Sequence, residues 1–506
     1  MLPNAMRRCF APLLLLLLVF CAPQAIRAEG LNTRIQTEVD KSPNNQAHWG
    51  VAACDLSNGS QLISLDADKL FMPASNRKLF STAFALDTLG SDFRFSTKLE
   101  YTGSIQADGT LMGDLIVRAS GDPTISQRFS KSHTSTSVFE DWANAALQKG
   151  IHKVSGNLIA DLSAFDPSTL LGEGWSWEYE SDYYAAPVGA FSFNENVVFV
   201  GVSPTSAGEP CKVWLDPHCE GFVIQNQSHT RSSGDNTISV VRQNATNIIT
   251  IKGSLPDGHS SEYNPVTVDD PGRYSSEVLM AVLKRKGIEV QGQVVQTHTA
   301  PPAVPEGNVI ADYVSPPLSD ILKVVNQSSN NNMAEMVYLA AGHVATGSPA
   351  SYSNSRVAEK KFWDKMGIPD SGRMYAADGS GLSRRNLFTP RAFCELLRKM
   401  QQHKEGETYV KSLAVAGKNG TLEGRMNSIT GHVIGKTGTI NNVSCLSGYL
   451  INDENKTMVF SMLVNNFTCA TSSIKSTQDR LCQLLVSEPI ATAAAPSPPA
   501  ETENGG

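Results

Sequence analysis

Strand-like sequence near both ends of the chain is the feature that most constrains its fold. Residues 49–55 and 61–65 are predicted to be two strands joined by a hairpin turn at Asn58-Gly59. A second set of strand-like runs lies near the other end, at residues 430–439, 444–451 and 457–464. The simplest architecture is one α/β (α+β) domain, split by a long insertion, whose sheet takes strands from both chain ends and carries helices on its faces.

Helical patterns and the sequence between them define the domains. Apolar residues recur at helical spacing from Ser75 to a stop at Gly90. In contrast, residues 93–268 show short strand-like runs, Gly/Asp/Asn turns and few long helical patterns. We predict a split domain at 29–92 and 272–487 and a β-rich insertion at 93–271. Later helices are predicted at residues 274–286, 332–344, 390–401 and 473–485.

The length and charge of the chain limit the class of protein. A chain of 506 residues is too long to fold around one ordinary hydrophobic core. Its composition, with 41% hydrophobic and 18% charged residues, is that of a globular protein. The formal net charge is −7, and no basic stripe indicates nucleic-acid binding. We expect two or three folded domains with an acidic surface and no nucleic-acid partner.

The N-terminus has the pattern of an export signal. Arg7 and Arg8 precede an apolar run at residues 11–22, which small and polar residues follow. This run is shorter than the ~20 apolar residues that span a bilayer, which disfavours a membrane anchor. We predict a signal peptide at 1–28, secretion across the inner membrane, and residence in the periplasm or cell envelope. Residues 488–506 are predicted to be a disordered tail without a transmembrane anchor.

Two cysteines are candidates for a disulfide in an oxidising compartment. Cys211 and Cys219 bracket a short loop that contains proline. A metal site that adds His218 is the alternative, but no fourth ligand follows at a recognisable spacing. The disulfide is the preferred interpretation, and no metal or organic cofactor is expected.

Three short motifs carry the chemistry, and the first pairs Ser75 with Lys78. On a helix these residues share one face, so the amine can reach the hydroxyl. A serine becomes a good nucleophile when a base removes its proton, and a lysine can do this only when neutral. Burial and a second cation, such as Lys436, would lower its pKa. An N-cap serine with a surface lysine is the alternative, and the same spacing recurs at Ser472 and Lys475.

The last motif, Lys436-Thr437-Gly438, lies inside a predicted strand. A substrate peptide lying along such a strand needs close backbone approach, which a glycine permits. The lysine and threonine offer a cation and a hydroxyl to a terminal carboxylate. Gly-Lys-Thr also ends a phosphate-binding loop, but that loop requires glycine where this chain has Thr430, and a helix afterwards. We therefore reject the phosphate-binding interpretation.

The middle motif lies among polar residues before a predicted helix. Ser329 and Asn331 would place a hydroxyl between the two lysines as a proton relay, with an amide to hold a substrate carbonyl. A second frame, Ser328 with Asn330, is also possible. Simple helix capping is the alternative to both.

Together the three motifs resemble those of the serine acyl-enzymes that include penicillin-binding proteins and β-lactamases. The long separation of the first two motifs is similar to that in the D-Ala-D-Ala carboxypeptidases of the penicillin-binding protein 4-like type (peptidase S13, class C low-molecular-mass). Segments at 120–124, 156–161 and 378–384 resemble the same family. The resemblance implies a β-lactamase/transpeptidase-like domain with a large β-rich insertion. It favours the frame Ser329/Asn331, because Ala334-Glu335 then lies at the family's distance.

The resemblance also implies a role for each motif residue. Ser75 would attack the carbonyl of a D-Ala-D-Xaa bond while Lys78 takes its proton. Ser329 would pass that proton to the leaving amine, with Lys436 tuning the relay. Asn331 would hold a substrate carbonyl.

Substrate contacts follow from the same resemblance. Thr437 would bind the terminal carboxylate beside Gly438, and the backbone N–H groups of Ser75 and Thr439 would form an oxyanion hole. Asp161 would pair with a cationic diamino acid of the substrate, although capping of a turn is its alternative role.

The implied activity is D-alanyl-D-alanine carboxypeptidase or endopeptidase action on peptidoglycan peptides, with acylation and inhibition by β-lactam antibiotics. The alternatives are a β-lactamase, which the large insertion disfavours, and a non-hydrolytic penicillin-recognising module, which the intact motifs disfavour.

Overall fold

The structure is a computed structural model that describes residues 30–41 and 45–489. The predicted signal peptide and residues 490–506 of the predicted tail lie outside the described residues. Within the described part of the chain, the helices are all too short or too polar to cross a membrane.

A six-stranded antiparallel sheet unites the two ends of the chain. The first predicted strand pairs with the last, from His48 opposite Asn465 to Asp55 opposite Met458. The prediction that both ends contribute to one sheet is therefore confirmed. From edge to edge the strands are β18 (Ala414–Val415), β19 (Val433–Ile440), β20 (Val443–Ile451), β21 (Thr457–Asn465), β1 (His48–Asp55) and β2 (Gln61–Leu65).

Helices cover both faces of this sheet because its side chains alternate between two cores. Val51 and Ala53 of β1 face a core that includes Ile35 and Leu481, whereas Ala52 faces the larger core. The predicted α+β arrangement is confirmed. The helices are α1 (30–40), α2 (Arg77–Leu89), α3 (Ser137–Gln148), α4 (Pro271–Arg285), α5 (Leu318–Gln327), α6 (Asn331–Thr346), α7 (Tyr352–Met366), α8 (Pro390–Gln401), α9 (Gly406–Lys411) and α10 (Thr471–Val486).

The inserted region contains smaller sheets, as its β-rich sequence predicted. One has the order β16 (Val294–Thr297), β8 (Leu158–Asp161), β6 (Leu115–Arg118), β3 (Ser96–Tyr101) and β17 (Val309–Val314). A second has the order β15 (Glu289–Val290), β7 (Lys153–Val154), β5 (Thr110–Met112) and β4 (Ser104–Ile105). Two further sheets have three strands each. One has the order β10 (Lys212–Asp216), β9 (Val197–Ser203) and β14 (Glu262–Thr267). The other has the order β11 (Val223–Arg231), β13 (Ile248–Pro256) and β12 (Ser239–Arg242).

Strand pairing extends this region beyond its predicted end at residue 271. β15, β16 and β17 follow that residue in the chain, yet they pair with β7, β8 and β3. The backbone groups of these strands have their hydrogen-bond partners in the insertion. The sheets of the inserted region therefore continue to Val314, beyond the boundary predicted at 271/272.

The predicted disulfide between Cys211 and Cys219 does not form, because both residues are free thiols. Cys211 Sγ lies 3.8 Å from Thr230 Oγ1 of β11, whereas Cys219 Sγ lies 3.7 Å from Glu277 Oε2 of α4. The two sulfur atoms thus contact different elements. The alternative metal site is not seen either, since no cluster of three or more potential ligands occurs among the described residues.

Candidate active site

Ser75 lies in a short 3-10 turn directly before helix α2. The turn spans Ala74–Asn76, and the helix follows without a break. Asn76 Nδ2 donates to Ser447 Oγ of β20 at 2.7 Å, which holds the turn against the central sheet. One helical turn further on, Lys78 Nζ lies 3.0 Å from Ser75 Oγ. The structure therefore brings the serine and lysine of the first motif together.

Lys78 is fully buried and has three hydrogen-bond acceptors around its amine. Its Nζ lies 3.0 Å from Ser75 Oγ, 2.6 Å from Asn331 Oδ1 and 2.8 Å from Ser380 O. Burial lowers the pKa of Lys78 to about 7. A neutral amine has two N–H groups and one lone pair. When Asn331 Oδ1 and the Ser380 carbonyl accept hydrogen bonds from the two N–H groups, the lone pair of the amine faces the Ser75 hydroxyl.

A buried carboxylate holds the peptide that supplies this carbonyl. Glu335 of α6 is inaccessible to solvent, and its two oxygens accept the N–H groups of Gly379 and Ser380, each at 2.7 Å. Burial, with the nearby charge of Asp378, raises the pKa of Glu335 to about 8. The carboxylate thereby fixes the orientation of the Ser380 carbonyl toward Lys78.

Arg77, the neighbour of Lys78, ties α2 to α7. Its buried guanidinium donates two hydrogen bonds to Glu359, at 2.7 Å and 2.6 Å. Its Nε donates to Asp378 O at 2.9 Å, and the ring of Tyr338 lies 4.9 Å away. Arg77 therefore anchors the start of the helix that carries Lys78.

Lys436 reaches the site from β19. Its buried Nζ donates to Ser329 Oγ at 2.8 Å and to Thr437 O at 2.8 Å. Burial, together with the charge of Lys78, lowers the pKa of Lys436 well below its ordinary value. Ser329 has a φ of +59°, which non-glycine residues seldom adopt and which often marks a functional site. The Ser329 hydroxyl is thus held beside the second amine.

The two possible frames of the middle motif differ in position. Ser329 and Asn331 contact the two lysines. Asn330 instead caps the N-terminus of α6, and its Nδ2 donates to Glu195 Oε2 at 2.6 Å. Ser328 follows the last residue of α5 as its C-cap. Only in the frame Ser329/Asn331 do both side chains contact the lysine amines.

Gly438 allows β19 to approach the turn that carries Ser75. A Cβ at this position would lie 2.7 Å from Pro73 O and 2.9 Å from the backbone nitrogens of Ser75 and Asn76. Thr439, the next residue, lines the same cavity as Ser75. A glycine is required here because any side chain would displace the strand from the turn.

A cavity of about 1150 Å³ opens onto these residues. Ser75, Ser329, Asn331 and Thr439 line one part of this cavity, and residues of both the inserted region and the split domain line the rest. The Thr437 side chain is 9% exposed, and its hydroxyl donates to Thr421 Oγ1 at 2.7 Å.

Some contributors were not predicted from the sequence. Tyr184, in the insertion, accepts a hydrogen bond from Asn331 Nδ2 through its backbone carbonyl at 2.7 Å. No sequence signal identifies it, because any residue type has that carbonyl. Ser380 contributes in the same way, but it lies in the segment 378–384 that the sequence had singled out. In the sequence, Glu335 only helps to align the middle motif, and Arg77 lies between Ser75 and Lys78 without a predicted role.

Asp161, the predicted contact for the diamino acid, ends strand β8. Its carboxylate forms an ion pair with Arg118 at 3.1 Å and accepts the N–H of Ser163 at 3.1 Å. Arg118 also pairs with Glu100 at 2.8 Å. Among the described residues, Asp161 is not part of the lining around Ser75. Its contact with substrate stays a prediction.

Fold and site together are those expected of a serine-type acyl-transfer enzyme, with a buried lysine amine beside a serine hydroxyl. A mixed sheet-and-helix domain presents a serine at the start of a helix, with two buried amines and a second serine beside it.

Comparisons with known proteins identify the family. The D-Ala-D-Ala carboxypeptidase 3 (S13) family matches residues 31–487. A D-alanyl-D-alanine carboxypeptidase from Actinomadura sp. (strain R39) is 32% identical over 475 residues, covering 90% of this chain and 85% of that protein. The carboxypeptidase DacB from Haemophilus influenzae is 27% identical over 467 residues, covering 89% of this chain and 92% of its own length.

A solved structure agrees with this assignment. The crystal structure of penicillin binding protein 4 from Haemophilus influenzae matches with a TM-score of 0.79 and 25% identity, covering 90% of this chain and 99% of that chain. The protein belongs to the D-Ala-D-Ala carboxypeptidase 3 (S13) family, and it is a serine-type D-Ala-D-Ala carboxypeptidase that acts on peptidoglycan peptides.

Proposed function

We propose that Ser75 is the nucleophile and Lys78 its base in the cleavage of peptides that end in D-Ala-D-Ala. One observation carries this assignment, the set of acceptors around the Lys78 amine. Asn331 and Ser380 take two N–H groups, so the lone pair of the neutral amine faces Ser75 Oγ, 3.0 Å away. Ser75 Oγ would attack the scissile carbonyl carbon as its proton passes to Lys78.

The attack would form a tetrahedral intermediate, and the remaining residues would stabilise it and help it to break down. Its oxyanion would be bound by the backbone N–H groups of Ser75 and Thr439, which the glycine between strand and turn allows to approach each other. Ser329, hydrogen-bonded to Lys436, would deliver the proton to the leaving amine. Thr437 would bind the substrate's terminal carboxylate, and water would then hydrolyse the acyl-enzyme.

The same attack would open the cyclic amide of a β-lactam, so we expect penicillins to acylate Ser75. The similarity to a protein named penicillin binding protein 4 supports this expectation. A cavity of about 1150 Å³ has room for more than a dipeptide end, which supports endopeptidase cleavage of cross-linked peptides as well. The export signal predicted at residues 1–28 supports action in the periplasm or cell envelope.

The substitution Ser75→Ala tests the nucleophile directly. We expect it to abolish covalent labelling by a fluorescent penicillin and to leave the melting temperature nearly unchanged, because only one oxygen atom is removed. Gel fluorescence and thermal unfolding measure the two quantities. Ser472→Ala is the matched control, since Ser472 also lies three residues before a lysine, and it should label normally. Labelling that survives in the first variant and disappears in the second would overturn the assignment.

Mass spectrometry of products from purified muropeptides separates the activities. Loss of a single terminal D-Ala shows carboxypeptidase action, and release of two stem peptides from a cross-linked dimer shows endopeptidase action. Rapid release of the penicillin label with continued turnover would instead indicate a β-lactamase.

A further inference from the structure

A second cavity, of about 280 Å³, lies apart from the site around Ser75 and shares no lining residue with it. Its walls come from β1, β2, α8 and the loops at Gly59 and Gly367, and they include two thiols, those of Cys54 and Cys394. Arg391 of α8 also lines this cavity. The proposed peptidase mechanism uses none of these residues.

The backbone geometry brings the two cysteines together. Cys54 and Ala52 are on the same face of β1, because side chains alternate along a strand. Cys394 Sγ lies 3.5 Å from Ala52 O and 3.9 Å from Val459 O. Val459 is the residue of β21 directly opposite Cys54. The Cys394 sulfur atom thus lies over the β1–β21 ladder beside Cys54.

The two thiols differ in environment. Cys54 is partly exposed, whereas Cys394 is buried. The neighbouring Cys394 thiol holds the pKa of Cys54 below its ordinary value, and the positive charges of Arg398 and Arg391 act in the same direction. Burial raises the pKa of Cys394 well above its ordinary value. A partly exposed thiol with a lowered pKa next to a buried thiol is the arrangement of an attacking and a resolving cysteine.

We propose that Cys54 and Cys394 are a thiol–disulfide exchange site that closes to an intramolecular disulfide. The Cys54 thiolate attacks one sulfur atom of an external small-molecule disulfide, which breaks that S–S bond and expels one thiolate. Cys394 then gives up its proton to the expelled thiolate and attacks the Cys54 sulfur atom, which expels the second thiolate. The two cysteines are oxidised to one disulfide, and the external disulfide is reduced to two thiols.

The bond would join the two halves of the split domain. Cys54 precedes the inserted region and Cys394 follows it, so the cross-link would enclose the whole insertion in one covalent loop. Long loops restrict the unfolded chain strongly and therefore stabilise the native state. Phe393, the neighbour of Cys394, packs on Phe80 of α2 with ring centroids 5.0 Å apart. The bond would thus also fasten the helix layer that supports Lys78.

Oxidised glutathione tests the proposal on the full chain. The reduced protein is incubated with excess oxidised glutathione, quenched with N-ethylmaleimide, digested without reductant and mapped by mass spectrometry. We expect a peptide pair linked through Cys54 and Cys394 in most molecules and a melting temperature about 5 °C above that of the reduced protein. Cys54→Ser and Cys394→Ser should each abolish the linked pair and the shift, whereas Cys469→Ser, another partly exposed thiol, should retain both.

The wild-type peptide map is decisive even if a variant fails to fold. Recovery of Cys54 only as a mixed disulfide with glutathione, or of both cysteines as maleimide adducts, would overturn the proposal. Penicillin labelling of the reduced protein, run in parallel, reports on Ser75 independently. Failure of the disulfide would therefore not be confused with failure of the proposed peptidase mechanism.

Discussion

Lys78 and Lys436 lie in one site but have different partners. Lys78 contacts Ser75, whereas Lys436 contacts Ser329. Both amines are buried, and burial disfavours their charged forms. Only a neutral amine can accept a proton. The protonation state of Lys78 should therefore determine how readily Ser75 reacts.

We expect the rate of acylation by a fluorescent penicillin to rise as the pH increases through about 7 and then to level off. The pKa of Lys78 is lowered to about 7 by burial, so its basic form accumulates as the pH rises through that value. Rapid-quench labelling over a series of buffers measures the profile. A rate that falls as the pH increases through this range would contradict the assignment of Lys78 as the base.

Two arginine variants provide the control for this profile. Lys78→Arg should not be acylated, because guanidinium stays protonated in proteins. Lys436→Arg keeps the positive charge beside Ser329 and should retain partial acylation. If both variants lose acylation equally, the proposed division of roles between the amines is wrong.

Asp161 tests whether the insertion contributes specificity. If its carboxylate binds the cationic end of a diamino acid, Asp161→Asn should slow muropeptide hydrolysis by ~10-fold or more, a loss of ~1.4 kcal/mol. Penicillin acylation does not involve that group and should stay near wild type. The ion pair with Arg118 supplies the control, since Arg118→Gln removes the structural partner of Asp161 and keeps its carboxylate. If Asp161→Asn lowers both reactions together, as a structural defect would, the specificity role must be withdrawn.

At the scale of elements, the contact between β19 and the turn before α2 sets the geometry of the site. The strand carries Lys436 and Thr439, and the turn carries Ser75. Gly438 is the point of closest approach, where a Cβ would come within 2.7 Å of Pro73 O. The alignment of the predicted oxyanion donors with Ser75 therefore depends on the absence of one side chain.

We expect Gly438→Ala to slow penicillin acylation by ~10-fold or more, because displacements of about 1 Å at a reacting centre are costly. Stopped-flow labelling measures the rate, and thermal unfolding measures the accompanying loss of stability. Gly372→Ala is the matched control, since a Cβ there meets no atom within 4 Å and should leave both quantities unchanged. Normal acylation by Gly438→Ala would show that the strand can move without affecting the site.

At the scale of the whole molecule, the inserted region is completed by strands that follow it in the chain. β15, β16 and β17 pair with strands of the insertion rather than with the central sheet. A fragment that ends at residue 271 lacks these partners and leaves open strand edges.

We therefore expect a fragment of residues 94–315 to fold independently and a fragment of residues 94–271 to fail. Circular dichroism during heating should show a cooperative transition for the longer fragment only. Equal cooperativity in both fragments would mean that the three later strands are not required, and that the predicted boundary at 271 describes the folding unit better than the sheet pairing does.

The sequence alone was sufficient for the elements whose pattern is local. Alternation and helical spacing located β1, β2, β19, β20, β21 and the helices α2, α4, α6, α8 and α10 to within a few residues. The order of the motifs led to the family. Helix α7 was not predicted because its buried face includes Ser355 and Glu359, which interrupt the apolar repeat.

Tertiary structure decided which distant groups meet. Arg77 and Glu359 have the sequence character of surface residues, and they can be buried because they pair with each other across 282 positions of the chain. The frame Ser329/Asn331, the role of Glu335 and the end of the insertion depend on similarly distant partners. Cys211 and Cys219 are close in sequence but point to different elements, while Cys54 and Cys394 meet from opposite sides of the insertion. Periodicity in a sequence reports which face is buried, whereas the partner across that face is set by packing.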